Sequence, residues 1–136
     1  MDRHNRFLRL LSNIAQDVSP VGAARIASGL VLGNEFIAFG TNSMKTHPFQ
    51  ARFGKNSQSI HLHAEVDCIK NALKKFSVEE LKKSTLYIAR MKFLDSNKKH
   101  MVNGLACPCD GCKRAISTFN IRKVVFSLDN EGYGVL

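Results

Sequence analysis

Apolar residues recur at helical spacing near the start of the chain, where Phe7, Leu10, Leu11 and Ile14 fall on one face. The Ser19-Pro20 pair predicts that this helix stops near Val18, because proline disfavours helix in the residue before it. From Ala24 to Leu32 the period changes to two, with Ile26, Ser28 and Leu30 alternating against Arg25, Ala27 and Gly29. Gly33-Asn34 reads as a two-residue hairpin turn and Glu35 to Thr41 as its returning strand. That strand is apolar on both faces, which predicts a central place in its sheet. A second helix follows His63, with Val66, Ile69, Leu73 and Phe76 as its buried stripe. Glu65 and Asp67 sit in its first turn and Lys74-Lys75 in its last, as the helix dipole favours. Ser77 and Glu80 have the spacing of a capping box for a further short turn. Leu86 to Met91 forms a third strand and Asp95 to Gly104 a long polar loop. Cys112, Ala115, Ile116 and Phe119 make the stripe of a third helix, and Val124 to Leu128 a fourth strand. A fifth strand has room only between Gly132 and Leu136.

Helix, hairpin, helix, strand, helix, strand is the order of an α/β fold with crossovers covering both faces of its sheet. The expectation is a three-layer α/β/α sandwich whose mixed central sheet joins an N-terminal hairpin to parallel strands. At 136 residues the chain has the size of one domain, 1–136. In such sheets the ligand lies beyond the carboxyl ends of the strands. Two loops leave strands there, Asn42 to Leu62 and Lys92 to Pro108. Both are longer than connections usually are, which points to function.

Composition narrows the class. Hydrophobic residues at 44% and charged residues at 23% are globular values and exclude wholesale disorder. Asn34 and Glu35 interrupt the best apolar run, Gly29 to Gly40, so no membrane span or membrane partner is expected. No apolar run suited to a secretory signal follows Met1 to Arg6, and a cytoplasmic location is the expectation. The net charge of +9 favours anionic partners, either phosphorylated small molecules or nucleic acid. The bases are dispersed, with seven Lys/Arg in residues 1–60 and thirteen in 61–136, so a solvated basic surface competes with a nucleic-acid groove. Cys68, Cys107, Cys109 and Cys112 are too few and too bunched for a disulfide scaffold, which leaves metal or redox chemistry. Cys68 falls on the inner side of the second helix and reads as core.

The second and third helices open on His63-Ala64-Glu65 and Pro108-Cys109-Asp110-Gly111-Cys112. One imidazole and two thiolates are three of the four ligands of a tetrahedral zinc, leaving a position for water. Zinc lowers the pKa of such a water to roughly 7. Glu65 is not needed as a ligand and is free to carry protons. Cys109 and Cys112 lie in a first turn, where unpaired N–H groups lower a thiol's pKa. Two other readings of the same residues stay open. Cys109-x-x-Cys112 could be a redox dithiol, or His61 or Cys107 could close a structural zinc site as fourth ligand.

His-x-Glu followed by Pro-Cys-x-x-Cys resembles the signature of the cytidine deaminase superfamily of zinc deaminases. The likeness spans roughly Gly29 to Leu128, and His-Ala-Glu followed by Val66-Asp67-Cys68-Ile69 is most similar to the deoxycytidylate type. The resemblance implies a zinc-dependent hydrolase that replaces a nucleobase amino group and releases ammonia, with cytosine in a free nucleotide as substrate. It implies that His63, Cys109 and Cys112 hold zinc and that Glu65 moves protons from water to the ring nitrogen and to departing ammonia. The Ala64 backbone would hold the base, and the carbonyl of Cys107, before Pro108, would accept from the amine. Cys107 is itself a departure from the pattern. Asn42, in Phe39-Gly40-Thr41-Asn42, matches the sugar-binding asparagine of relatives, or it merely ends a strand. In the following loop Lys45, His47 and Arg52 could grip a phosphate and Phe49 flank a base, or the loop is simply solvated. The family also implies a homo-oligomer. Two alternatives remain: a polynucleotide base deaminase acting on tRNA adenosine or single-stranded cytosine, and a non-catalytic zinc module that binds nucleic acid.

Overall fold

The computed structural model describes residues 2–18, 25–46, 52, 61–94 and 100–136, without the side chains of residues 44–46 and 61. The elements are α1 (Arg3–Gln16), β1 (Arg25–Leu32), β2 (Glu35–Thr41), β3 (Ser43–Thr46), β4 (His61–Leu62), α2 (Ala64–Ala72), α3 (Val78–Leu81), β5 (Thr85–Phe93), β6 (Met101–Gly104), α4 (Asp110–Thr118), β7 (Lys123–Ser127) and β8 (Tyr133–Val135). The Ser19-Pro20 stop, the expected roles of His47 and Phe49, and the side chains of Lys45 and His61 lie outside the described residues.

Six strands form one mixed sheet in the order β2-β1-β5-β7-β8, with β6 also paired to β5. β5 and β7 are parallel, and the other pairs are antiparallel. β3 and β4 make a separate two-stranded ribbon. One face of the sheet buries Ala27, Val31, Tyr87, Ala89 and Val125 against Phe7, Leu8, Leu11 and Ala15 of α1. The other buries Leu30, Ala38, Leu86, Ile88 and Val124 against Val66, Ile69, Ala115 and Ile116 of α2 and α4. These are the three layers that the alternation of strands and helices implied. Each fully buried Leu or Ile in them contributes about 1.5–3 kcal/mol.

Four sequence expectations are corrected. The buried stripe of α1 is Phe7, Leu8, Leu11, Ser12 and Ala15, while Leu10 and Ile14 are 48% and 37% exposed. Apolar residues at 7, 8, 10, 11, 14 and 15 fit two helical phases, and contact with the sheet selects one. β2 is a terminal strand of the sheet rather than a central one. Its two apolar faces are unequally covered: Ala38 and Gly40 are buried on the α2 side, while Phe39, on the other face, is 44% exposed. The stretch Asp95 to Gly104 ends in a strand, because Met101 to Gly104 ladder onto Phe93 to Arg90 despite their polar company. α2 ends at Ala72, so Lys70 is the base in its last turn and Lys74-Lys75 lie past its end. The capping box is present: Ser77 accepts from the Glu80 amide, and Glu80 accepts from the Ser77 amide.

The packing of α2 on the hairpin fixes the position of its first turn. A Cβ on Gly40 would collide with the Ala64 carbonyl and the Cys68 amide, so glycine is what lets the helix backbone lie on β2. The buried Ser28 hydroxyl donates to the Ala64 carbonyl at 2.6 Å. Further along, the Thr41 amide donates to Asp67 at 3.1 Å and the Asn71 amide donates to the Phe39 carbonyl at 2.8 Å.

Candidate metal and catalytic centre

His63 is the residue before α2 and Cys109 the residue before α4. Both have extended backbone, as an N-cap residue does; the His63 side chain makes no cap bond, while the Cys109 sulfur is bonded to Cys112 in its own helix. The two side chains also turn towards each other. His63 Nδ1 lies 3.5 Å from Cys109 Sγ and 3.3 Å from Cys112 Sγ. The three ligand atoms all fall within 4.8 Å of one another. Nitrogen plus two sulfurs at this separation suits tetrahedral zinc, whose bonds are about 2.0–2.3 Å long. The donor set and its spacing therefore fit the ion, and the cofactor is Zn2+. Two helix N-termini converge on the set, and their partial positive charge favours the thiolates.

Charge in the centre is strongly coupled. Hydrogen bonds from Cys112 and His63 hold the Cys109 thiol down to about 3. The same bond to Cys109, with burial and the nearby Glu65, pushes Cys112 well above an ordinary thiol. The trio thus stabilises one thiolate by its own contacts, and a dication supplies what the second needs. The hydrogen bond to Cys109 raises the His63 pKa. Glu65, in the first turn of α2, is 5% exposed and bonded to Cys112, and burial raises its carboxyl above the usual range. A buried carboxyl of raised pKa, beside a metal set but outside it, is suited to holding and releasing a proton.

The other sequence-predicted residues are placed as follows. Ala64 is buried in the first turn, where its N–H has no acceptor in the helix ladder. Cys107 is exposed in the connection from β6 to α4. Asn42 is 8% exposed; its Oδ1 accepts from the Ile26 amide at 2.9 Å, and its own amide donates to the Ile26 carbonyl at 3.3 Å. Lys45 falls on β3. Arg52 is exposed and lines a pocket of about 460 Å³ with Arg114, Ser117 and Thr118 of α4. Cys68 is core: it is fully buried, its thiol is pushed up to about 12 by burial, and it donates to the Ala38 carbonyl at 3.5 Å. Sequence reasoning missed Ser28 and Gly40 as supports of the centre. A hydroxyl on the buried row of β1 and a glycine inside β2 were the signals.

Among the described residues no helix is long and apolar enough to cross a membrane. The family described as the cytidine and deoxycytidylate deaminase zinc-binding region matches residues 1–128. No curated protein matches the chain. Among solved structures, the dCMP deaminase from the cyanophage S-TIM5 in apo form superposes with a TM-score of 0.62 at 16% identity, covering 92% of this chain and 82% of that one. That likeness supports the fold, and the family match covers both motifs. The chain belongs to the cytidine and deoxycytidylate deaminase family and is a zinc-dependent hydrolase of the deaminase type.

Proposed function

We propose that the protein hydrolytically deaminates cytosine in a free nucleotide, of the deoxycytidylate kind, giving uracil and ammonia in the cytoplasm. The observation that carries the chemistry is Glu65, buried against Cys112 on the helix that His63 opens. A non-catalytic zinc module would have no use for a costly buried carboxyl at that point. The likeness in fold to the cyanophage dCMP deaminase supports the choice of base and phosphate.

In this reading His63, Cys109 and Cys112 hold zinc, which supplies a nucleophile from water at neutral pH. Glu65 does the proton work. Its carboxylate takes a proton as water attacks the carbon bearing the amine, and burial lets it keep that proton until the ring nitrogen accepts it. Glu65 then takes the second proton, from the newly attached hydroxyl, and delivers it to the amine, which leaves as ammonia while the carbonyl forms, so one carboxyl serves both halves of the reaction. The Ala64 N–H holds the base, the Cys107 carbonyl accepts from the amine, and Asn42 contacts the sugar. Lys45 and Arg52 attract the phosphate, and a second copy of the chain completes the working assembly.

A second reading, a polynucleotide base deaminase, is favoured by one observation. Arg52 and Arg114 stand together beside Ser117 and Thr118 on α4, where a continuing phosphate backbone could track. Ammonia release from cytidine, its mononucleotides and short oligonucleotides separates the two. We expect the mononucleotide to be the best substrate, with Lys45→Ala/Arg52→Ala raising its KM and leaving cytidine unchanged. Turnover of oligonucleotides alone, falling steeply with salt, would replace the first reading by the second.

A further inference from the structure

The sheet divides at the carboxyl end of β5. Thr85 to Ile88 pair with β7, whereas Arg90 to Phe93 pair with β6. Ser127 fills the fork, its hydroxyl accepting from the Arg90 amide at 3.1 Å and donating to the Gly104 carbonyl at 2.7 Å. The ligand side of an α/β sheet lies beyond the carboxyl ends of its strands, and this junction is at that end of β5 and β7.

Register shows which side of the sheet Arg90 faces. Residues opposite one another on neighbouring strands share a face, as do residues two apart on one strand. Gly40, Ser28 and Ile88 form the row beneath the first turn of α2, since Ser28 bonds the Ala64 carbonyl. The row two residues further on is Asn42, Ile26 and Arg90. Arg90 therefore stands on the α2 face, about 7 Å past the row that supports Ala64 and about 10 Å across the sheet from Asn42. This is the floor of the space beyond the turn that carries His63 and Glu65.

Arg90 brings to that floor a donor that no described residue uses. Its Nε is buried and has no hydrogen-bond partner among the described residues. Asp129, whose carboxylate feels the charge of Arg90, is hydrogen-bonded to Lys92 at 2.7 Å and to the Leu105 amide at 3.1 Å. The aliphatic stem is seated over Gly104, where a Cβ would come within 3.2 Å of the Arg90 Cδ. The guanidinium is thus held in place, permanently charged, with one arm dry. Nε–H and the adjacent Nη–H form a planar fork that matches two oxygens of a phosphate, a geometry that lysine cannot copy.

We propose that Arg90 is a specificity-determining residue whose Nε and Nη donors hold two phosphate oxygens of the substrate. The proposal rests on the deaminase reading and deepens it, and it applies to a phosphate ester whether free or within a strand.

The test compares zinc-loaded wild type, Arg90→Gln and Arg90→Lys on cytidine, deoxycytidine monophosphate and a short cytosine oligonucleotide. Calorimetry with deoxyuridine and its monophosphate runs beside it, and melting temperatures check folding. Both variants should raise the mononucleotide KM roughly ten- to hundredfold, the range of a charge-assisted hydrogen bond, with kcat and the constants for cytidine unchanged. Arg90→Lys should not rescue, because it restores the charge without the fork. Equal losses on cytidine and nucleotide, or an unchanged KM on both phosphorylated substrates, overturn the proposal. Wild type active on the oligonucleotide alone would refute the mononucleotide reading, and Arg90 would then be judged on the oligonucleotide KM. Where no substrate turns over, wild type binding deoxyuridine and its monophosphate equally overturns the proposal.

Discussion

Helices in this molecule begin in two different ways. α1 and α3 start on side chains that bond the first turn: Asp2 accepts from the Asn5 amide at 2.8 Å, and Ser77 with Glu80 completes a reciprocal box. α2 starts on His63, which makes no cap bond, and α4 on Cys109, whose sulfur bonds Cys112 of its own helix but is shared with His63. A missing cap typically costs about 1 kcal/mol. The ligand-bearing helices give up all or part of that local support because their first side chain must point across to the other helix. For α2 the sheet supplies it instead, through Ser28, Thr41 and Phe39. Local rules are broken here where chemistry needs an atom elsewhere, and tertiary contacts compensate.

Three substitutions probe this contrast. Glu65→Gln acts at the uncapped end on the chemistry alone. It should lower kcat by about a thousandfold or more while zinc content and melting temperature hold, as metal analysis and calorimetry would show. Activity within tenfold of wild type would remove Glu65 from its role. Cys109→Ser exchanges a ligand for a good N-cap. Zinc should fall below one ion per chain and turnover vanish, yet the metal-free variant should match or exceed metal-free wild type by up to about 1 kcal/mol in urea. A weaker metal-free variant would mean that the thiol supports α4 in some other way. Ser77→Ala touches only the capped class, and should cost about 1 kcal/mol with kcat/KM unchanged.

The sequence shows clearly where chemistry sits, and less clearly where strands sit. His63, Glu65, Cys109 and Cys112 could be placed at helix starts because His-x-Glu and Pro-Cys-x-x-Cys each precede an apolar stripe, and the structure brings the three ligands together. The layers followed from the alternation of element types. Lateral position in the sheet did not, because side-chain period reports faces and is silent about edges, as β2 demonstrates. β6 was hidden because Met101 to Gly104 are strand only by virtue of pairing with β5. Arg90 lies within the expected third strand, but the fork beside it depends on Ser127, thirty-seven residues away.

The sealing of β2 has a consequence outside catalysis. A terminal strand offers its outer amides and carbonyls as a template for another chain, the usual starting point of fibrous aggregation. Here the Thr41 amide and the Phe39 carbonyl are occupied by Asp67 and Asn71, one helical turn apart on α2. The opposite rim, β8, is only three residues long, which blunts it by brevity. The helix that carries Glu65 therefore also occupies part of the strand edge on which self-templated stacking would start. Changes to its outer turn that leave every reacting group intact would still shorten the working life of the protein in concentrated solution.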